Sequence, residues 1–345
     1  MAEKKVCWKK YFVFAIISVF FISCSLPPTL NLKEREFNKI PRKIVWFQIA
    51  GFSEEHLSLL KYAGSRVGLK LNLENNHCLG KTWRYNLFKL RPNAFESFMS
   101  QMTGRKNFKS NCEDFGIKPF WHYFKKERKR VGIFERGPVD FSFHNAFSCH
   151  KKEKNFYKEG IHFWFSKKRG KKKNSRMFHY LESSPIKDEG IYYNRSCHDK
   201  YCENNLVGNI KSLYERWSGN KESFVFIIRD FKYLSELRKK KILNVKEILF
   251  ELEEIYTYFL NKMGEEKNLL VLLTGASPLK FELPSTGKEW FNYERKGKNI
   301  LYKKMSLMAP IFATGASAEN FCGIYHESEI FKRLMWTKSK RKITE

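Results

Sequence analysis

Proline and glycine are scarce, with 10 Pro and 19 Gly in 345 residues, which excludes collagen-like and linker-dominated architectures. No internal repeat and no long low-complexity stretch occurs. The N-terminal apolar run, residues 11–22, falls short of the roughly 20 residues a membrane-spanning helix needs. Acidic residues are also few, 36 against 65 Lys and Arg, leaving a net charge of +29. Such a surface seeks anionic partners or an anionic surface, and says nothing about catalysis. Against these shortages stand 42% hydrophobic and 16% aromatic residues, including 32 Phe and 8 Trp, too apolar a composition for a disordered chain. The length suits one large domain or two ordinary ones with a sizeable core.

The first residues carry lysines at 4, 5, 9 and 10 ahead of that apolar run, followed by Ser23-Cys24-Ser25. A basic segment before a short apolar one reads as an export signal. Phe21-Ile22-Ser23-Cys24 resembles a bacterial lipobox, departing from it at Phe21 where Leu is usual; the resemblance implies lipidation at Cys24. A cleaved signal peptide and an uncleaved anchor are the alternatives. The expectation is a lipoprotein-type signal over 1–23, a tether over 24–42 with its Pro27-Pro28 pair, and a location in the cell envelope.

Cys78, Cys112, Cys149, Cys197, Cys202 and Cys322 remain once Cys7 and Cys24 are set aside. An even number in an oxidising compartment allows three disulfides, whose pairing the sequence leaves open. Cys197 and Cys202 are candidates for a local disulfide loop, with half of a metal site as the alternative.

From Lys43 the pattern is α/β. Ile44-Val-Trp-Phe-Gln-Ile49 reads as a buried strand, Gly51 as a tight turn, and Ser53 as the start of a helix through about Ser65. Residues 224–228 and 269–273 read as two more buried strands. Asn244 with Glu247 reads as a capping box opening a helix whose apolar stripe holds Val245, Ile248, Leu249, Leu252, Ile255, Phe259 and Leu260. Continuous apolar strands alternating with helices imply a mainly parallel sheet covered on both faces. Residues 105–173 are richer in cations, with Lys125, Lys126, Arg128, Lys129 and Arg130 in one run, interleaved with aromatics such as Phe163-Trp-Phe165. The basic run is a candidate anion-binding surface, or a solvated face with the aromatics in the core. Residues 331–345 read as a basic, solvated tail.

Four segments, in order, resemble the alkaline phosphatase and sulfatase superfamily. Ile44-Val-Trp-Phe-Gln-Ile-Ala-Gly-Phe52 resembles its first strand, and Arg91-Pro-Asn-Ala-Phe-Glu-Ser-Phe-Met-Ser-Gln-Met-Thr-Gly-Arg105 its nucleophile helix. Residues 269–277 resemble the strand bearing an Asp-His pair. Pro310-Ile-Phe-Ala-Thr-Gly-Ala-Ser-Ala-Glu-Asn-Phe-Cys-Gly-Ile-Tyr325 resembles the late strand and turn. The resemblance implies a three-layer α/β/α core over 43–330, with an insertion or basic cap over about 105–205.

That superfamily transfers phosphoryl or sulfuryl groups with two zinc ions or one calcium. The resemblance places its first-strand aspartate on Ala50, its nucleophile on Ala94, its Asp-His pair on Ala276 and Ser277, and a histidine near Lys304. Asp230 matches a mid-chain aspartate, whose partner histidine four residues on is Leu234. Alanine cannot ligate a divalent ion and a lysine repels one; Asp230 is the surviving candidate ligand, or else an ion-pair partner of Arg229 or Lys232. The nine histidines, His56, His77, His122, His144, His150, His162, His179, His198 and His326, show no His-x-x-x-His spacing.

The expectation is a catalytically inactive member that needs no cofactor. It would keep a pocket at the strand ends in which Lys304 holds an anion, and it would bind an anionic envelope component such as lipid headgroups or lipopolysaccharide, or act as a scaffold. An exported chain is a poor fit to nucleic acid. The alternative is a metal-dependent phosphate or sulfate ester hydrolase with relocated ligands, such as His77, His144, His150 or the 197–202 loop.

Overall fold

The computed structural model describes residues 41–61, 71–108, 120, 130–137, 161–165, 167–168, 201–202, 206–218, 223–280, 283–284, 287–296 and 306–335. All lie in the unit spanning 37–345. Eight strands form one sheet: β1 (Lys43–Ala50), β2 (Cys78–Trp83), β3 (Arg130–Arg136), β4 (Ile161–Phe165), β5 (Phe224–Asp230), β6 (Leu269–Ala276), β7 (Met308–Gly315) and β8 (Gly323–His326), in the order β8-β2-β7-β6-β1-β5-β3-β4. β7 alone among them runs against the others.

Strand alternation splits the apolar residues between two faces. Val45, Phe47 and Ile49 of β1, with Phe224, Phe226 and Ile228 of β5, enter one cluster, and Ile44, Trp46, Val225 and Ile227 enter the other. The first cluster is covered by α1 (Leu57–Lys61), α3 (Leu206–Ser218), α4 (Lys232–Arg238), α5 (Ile242–Glu265) and α6 (Gly287–Lys296); the second by α2 (Ala94–Thr103) and α7 (Glu329–Leu334). This is the three-layer α/β/α arrangement with a mainly parallel sheet.

Three boundaries differ from the sequence reading. The segment set apart as an insertion supplies β3 and β4 of the main sheet: β3 pairs with β5 along its whole length, Arg130 opposite Phe224 through Arg136 opposite Asp230. Its strand pattern is hidden by the basic run that precedes it. Helix α5 starts at Ile242, so Asn244 lies inside it and its Nδ2 donates to Glu236 Oε2 at 2.7 Å instead of capping. The turn before it is closed by Lys240, whose φ is 58°, and by the Lys241 N–H donating to Glu236 O at 3.1 Å. Residues 331–334 belong to a packed helix rather than to a tail, because α7 buries Ile330, Arg333 and Leu334, and Arg333 lies 3.6 Å over the Tyr325 ring.

Cys78, at the head of β2, is disulfide-bonded to Cys322, just before β8, tying the edge strand β8 to its neighbour across a sequence separation of 244. Among the described residues no helix is long and apolar enough to cross a membrane.

Candidate functional site

The parallel strands deliver their last residues to one edge of the sheet, where α/β folds place ligands. Ala50 and Ala276 are register partners there. Ala94 opens α2 at the same edge. Asn93 caps that helix, accepting the Glu96 N–H on Oδ1 at 2.9 Å, while Glu96 Oε2 accepts the Asn93 N–H at 2.9 Å. Gly104 ends it in the left-handed region at φ 71°.

The fold thus brings Ala50, Ala94 and Ala276 together, and it brings them together as carbon. They share one buried cluster with Phe98, Phe231 and Leu234. Phe98 and Phe231 meet edge to face at 5.6 Å. Leu234 stands against the turn after β1, where Gly51 adopts φ 85° and an added Cβ would lie 3.0 Å from Leu234 Cδ1. The expected pocket at these strand ends is therefore filled: Ala50, Phe98 and Ala276 are 0% exposed and Ala94 and Phe231 are 5% exposed. No ligand set for zinc or calcium exists at these positions, because methyl and phenyl groups have no donor electrons to offer.

Ser277 is held with φ 49°. Its hydroxyl donates to Pro92 O at 3.0 Å and accepts from Arg84 Nη2 at 2.7 Å. Arg84, fully buried, also donates to Ser97 Oγ (3.0 Å), Ser306 O (3.0 Å) and Pro92 O (2.5 Å). Burial pushes its pKa down to about 10, and Glu327 and Glu96 pull it back up. Glu327 is buried as well; burial raises its carboxyl to about 7, against the lowering influence of Arg84, Ser97 and Gln101. Gln101 continues the network, donating to Gly275 O at 3.2 Å and accepting from Thr274 Oγ1 at 2.8 Å, and Trp46 Nε1 donates to Thr274 Oγ1 at 3.0 Å.

Asp230 is present, but its oxygens are already taken. Oδ2 accepts from Arg136 Nη2 at 2.6 Å and Nε at 3.1 Å, and Oδ1 accepts the Tyr233 N–H at 3.0 Å, capping α4. Its partner is Arg136 rather than Arg229 or Lys232. Arg229 follows strand alternation to the opposite face, where Nη1 meets Glu135 Oε1 at 2.6 Å. Glu135-Arg136 on β3 faces Arg229-Asp230 on β5 in register, so each charge meets its opposite across the strands. Arg136 also pairs with Glu251.

The side chains of His56, His77 and His326 are engaged within the fold, whereas His122, His144, His150, His179 and His198 lie outside the described residues. His56 is fully buried, with Nε2 donating to Leu279 O at 2.7 Å and Nδ1 accepting from the Tyr233 hydroxyl at 2.7 Å; burial pushes its pKa down to about 4. His77 Nδ1 accepts the Gly315 N–H at 3.2 Å. His326 Nε2 donates to Tyr85 O at 2.8 Å. Among the described residues no group of three His, Cys, Asp or Glu side chains stands close enough to hold a metal ion.

Arg130 starts β3 at the opposite edge of the sheet, its N–H donating to Ser223 O at 3.2 Å, far from Ala50 and Ala276. Cys24, Lys125, Lys126, Arg128, Lys129, Cys197 and Lys304 lie outside the described residues, and Cys202 is described only as backbone in a short pairing of residues 167–168 with 201–202. Arg84 and Glu327 went unread in the sequence, where each stands alone beside a strand with no spacing to mark it. The Glu135–Arg229 and Arg136–Asp230 exchange was readable, had β3 been recognised.

No family model matches the sequence, and no curated protein matches it. Solved structures do match its fold. The alkaline phosphatase of a psychrophilic Shewanella species superimposes with a TM-score of 0.64 at 10% identity, covering 85% of this chain and 98% of that one. The alkaline phosphatase of the Antarctic bacterium TAB5 gives 0.59 at 12% identity, over 86% of this chain and 97% of that one. That of Thermus thermophilus gives 0.58 at 12%, over 90% and 94%. Sheet order, helix layers and these superpositions agree on an alkaline-phosphatase-like fold.

Proposed function

We propose that this chain is a non-catalytic, alkaline-phosphatase-like protein of the cell envelope, exported, lipid-anchored through Cys24, and acting there by binding an anionic component or as a scaffold. The observation that carries the loss of catalysis is the closed cluster of Ala50, Ala94 and Ala276 under Phe98 and Phe231. Nucleophile and ligand positions are both carbon, and the space between them is occupied by side chains that a substrate would have to displace. The anionic partner is supported by the net charge of +29 and by the scarcity of acids around the basic runs. Envelope location and lipidation are supported by the N-terminal pattern alone.

The test is to purify the full chain in detergent without chelator, offer it zinc, calcium and magnesium, and measure bound metal by elemental analysis together with turnover of aryl phosphate and aryl sulfate esters. The expected result is no stoichiometric metal and no turnover above the uncatalysed rate. A stoichiometric metal accompanied by turnover would overturn the reading.

A further inference from the structure

The loop after β2 leaves large apolar side chains in water. Leu87 is 83% exposed, Leu90 76% and Phe88 52%, with Tyr85 and Trp83 at 39% on its stem. Leu307, 37% exposed, joins the same patch, since its carbonyl accepts the Arg84 N–H at 2.9 Å. A soluble loop is normally polar, and a contiguous group of this size marks an interaction site.

Its backbone is closed on itself. Buried Asn86 accepts on Oδ1 the N–H groups of Phe88 (2.8 Å) and Lys89 (2.5 Å), and its own N–H donates to Lys89 O at 3.1 Å. The Leu87 N–H donates to Asn107 Oδ1 at 3.0 Å. Four successive N–H groups thus have protein partners, which lowers the cost of bringing this backbone to an apolar layer. The same turn around Asn86 forces Leu87, Phe88 and Leu90 outward.

Cations ring the tip. Arg91, Arg105 and Lys106 are exposed, and Lys106 Nζ lies 4.8 Å from the Tyr85 ring. Glu96, the acid that faces the loop, is buried and bonded to Lys89 Nζ at 2.6 Å. An apolar tip, an aromatic stem and a basic collar follow the order in which hydrocarbon, interface and anionic headgroups are met on entering a bilayer. A protein partner is the weaker fit, because a stable interface needs about 800 Å² of complementary surface on each side, and this tip is convex and only a few side chains wide.

We propose that residues 85–90 form a membrane-docking tip, with Leu87, Phe88 and Leu90 entering the outer hydrocarbon of an anionic bilayer while Arg91, Arg105 and Lys106 contact headgroup phosphates. The proposal holds whether or not the chain hydrolyses esters. It fixes an orientation: the carboxyl edge of the sheet, with its filled site, faces the lipid.

The test places the photoreactive residue p-benzoylphenylalanine at Leu87, Leu90 or Leu79 of the full chain. Leu79 is a control, 58% exposed at the other end of the same strand, about 20 Å from the loop at 3.3 Å per residue. Each variant is irradiated on vesicles containing phosphatidylglycerol or phosphatidylcholine alone, and lipid adducts are counted by mass spectrometry. Comparing positions within one chain makes the readout independent of lipidation at Cys24. The expected result is lipid adducts at 87 and 90 about tenfold or more above those at 79, with a severalfold loss on neutral vesicles or in Arg91→Glu/Lys106→Glu. Equal yields at all three positions, no lipid adducts at 87 and 90, or adducts there only to a second copy of the chain would each overturn it.

Discussion

Two patches share the carboxyl edge of the sheet and close it by opposite means. Around Ala50, Ala94 and Ala276 the edge is sealed with carbon. A few ångströms away it is sealed with charge, Arg84 hydrogen-bonded to Ser97, Ser277, Ser306 and Pro92 and electrostatically coupled to Glu327. A catalytic site differs from both, because its polar groups keep bonding capacity for substrate and transition state. Here the polar groups are spent on holding α2, β2 and β6 together. A fold does not depend on such groups: strand pairing and apolar faces are spread over dozens of residues, whereas ligation rests on a few atoms.

The sharpest way to break the dry patch is to place there the side chain that the superfamily resemblance implies. Ala50→Asp puts a carboxylate at a site with 0% exposure among phenyl and methyl groups, and the expected loss is about 4–5 kcal/mol in urea unfolding near neutral pH. A stability within experimental error of the parent would mean that water reaches the patch or that the Arg229 guanidinium, 5.3 Å from the Phe98 ring, pairs with the new carboxylate. Next in size is Phe98→Ala, which removes a fully buried ring packed on Phe231. A loss of about 3–4 kcal/mol is expected for such a cavity; a loss below about 1 kcal/mol would show that the cluster collapses onto the gap.

How far the sequence carried this comparison depends on which patch is asked. The three alanines were legible, because Ala50, Ala94 and Ala276 sit inside segments that resemble those of the superfamily, and β1, β5 and β6 are nearly unbroken apolar runs; the pocket expected between them is filled instead. What those alanines pack against was not legible: Phe98 and Phe231 are far apart in sequence and meet only once α2 and β5 are placed. The charged patch was invisible for the same reason. Asp230 illustrates the middle case, its presence legible and its partner not, since Arg136 faces it only through the register of a strand hidden beside a basic run. Asn244 shows a local rule overridden, its side chain drawn to Glu236 by the preceding turn.

The charged patch responds to pH, and buried His56, which lies in neither patch, responds with the opposite sign. Glu327 keeps its proton up to about 7 in the folded chain, against 4.5 when unfolded. The folded state therefore binds more protons across that window and loses stability as pH rises through it. His56, pushed down to about 4 from 6.5, acts with the opposite sign, the unfolded state binding more protons, so that folding gains stability as pH rises. Each shift corresponds to about 3 kcal/mol, and the two slopes offset between about pH 4.5 and 6.5. Glu327→Gln removes one of them. In denaturant titrations its stability should climb by about 3 kcal/mol from pH 4 to 6.5 relative to the parent's profile. Parallel profiles for variant and parent would show that Glu327 ionises in the native chain as it does in water.

The smallest effect tests whether the N-terminus of α2, which the superfamily resemblance assigns to the nucleophile, is spent as a structural joint. Helix N-termini attract anions because their first N–H groups lack partners. Here Asn93 Oδ1 takes the Glu96 N–H and Glu96 Oε2 takes the Asn93 N–H, while Lys89 neutralises Glu96. Asn93→Ala deletes the cap and should cost about 1 kcal/mol, while Asn93→Gly should cost only a few tenths. The ordering of the two variants matters more than the size. A cap that works by hydrogen bonding and backbone freedom is partly replaced by glycine, whereas a site that binds an anion through Asn93 would lose phosphate affinity equally in both. Unfolding curves with and without added phosphate separate these cases, and a closed joint predicts that phosphate stabilises neither the parent nor the variants at this end of the helix.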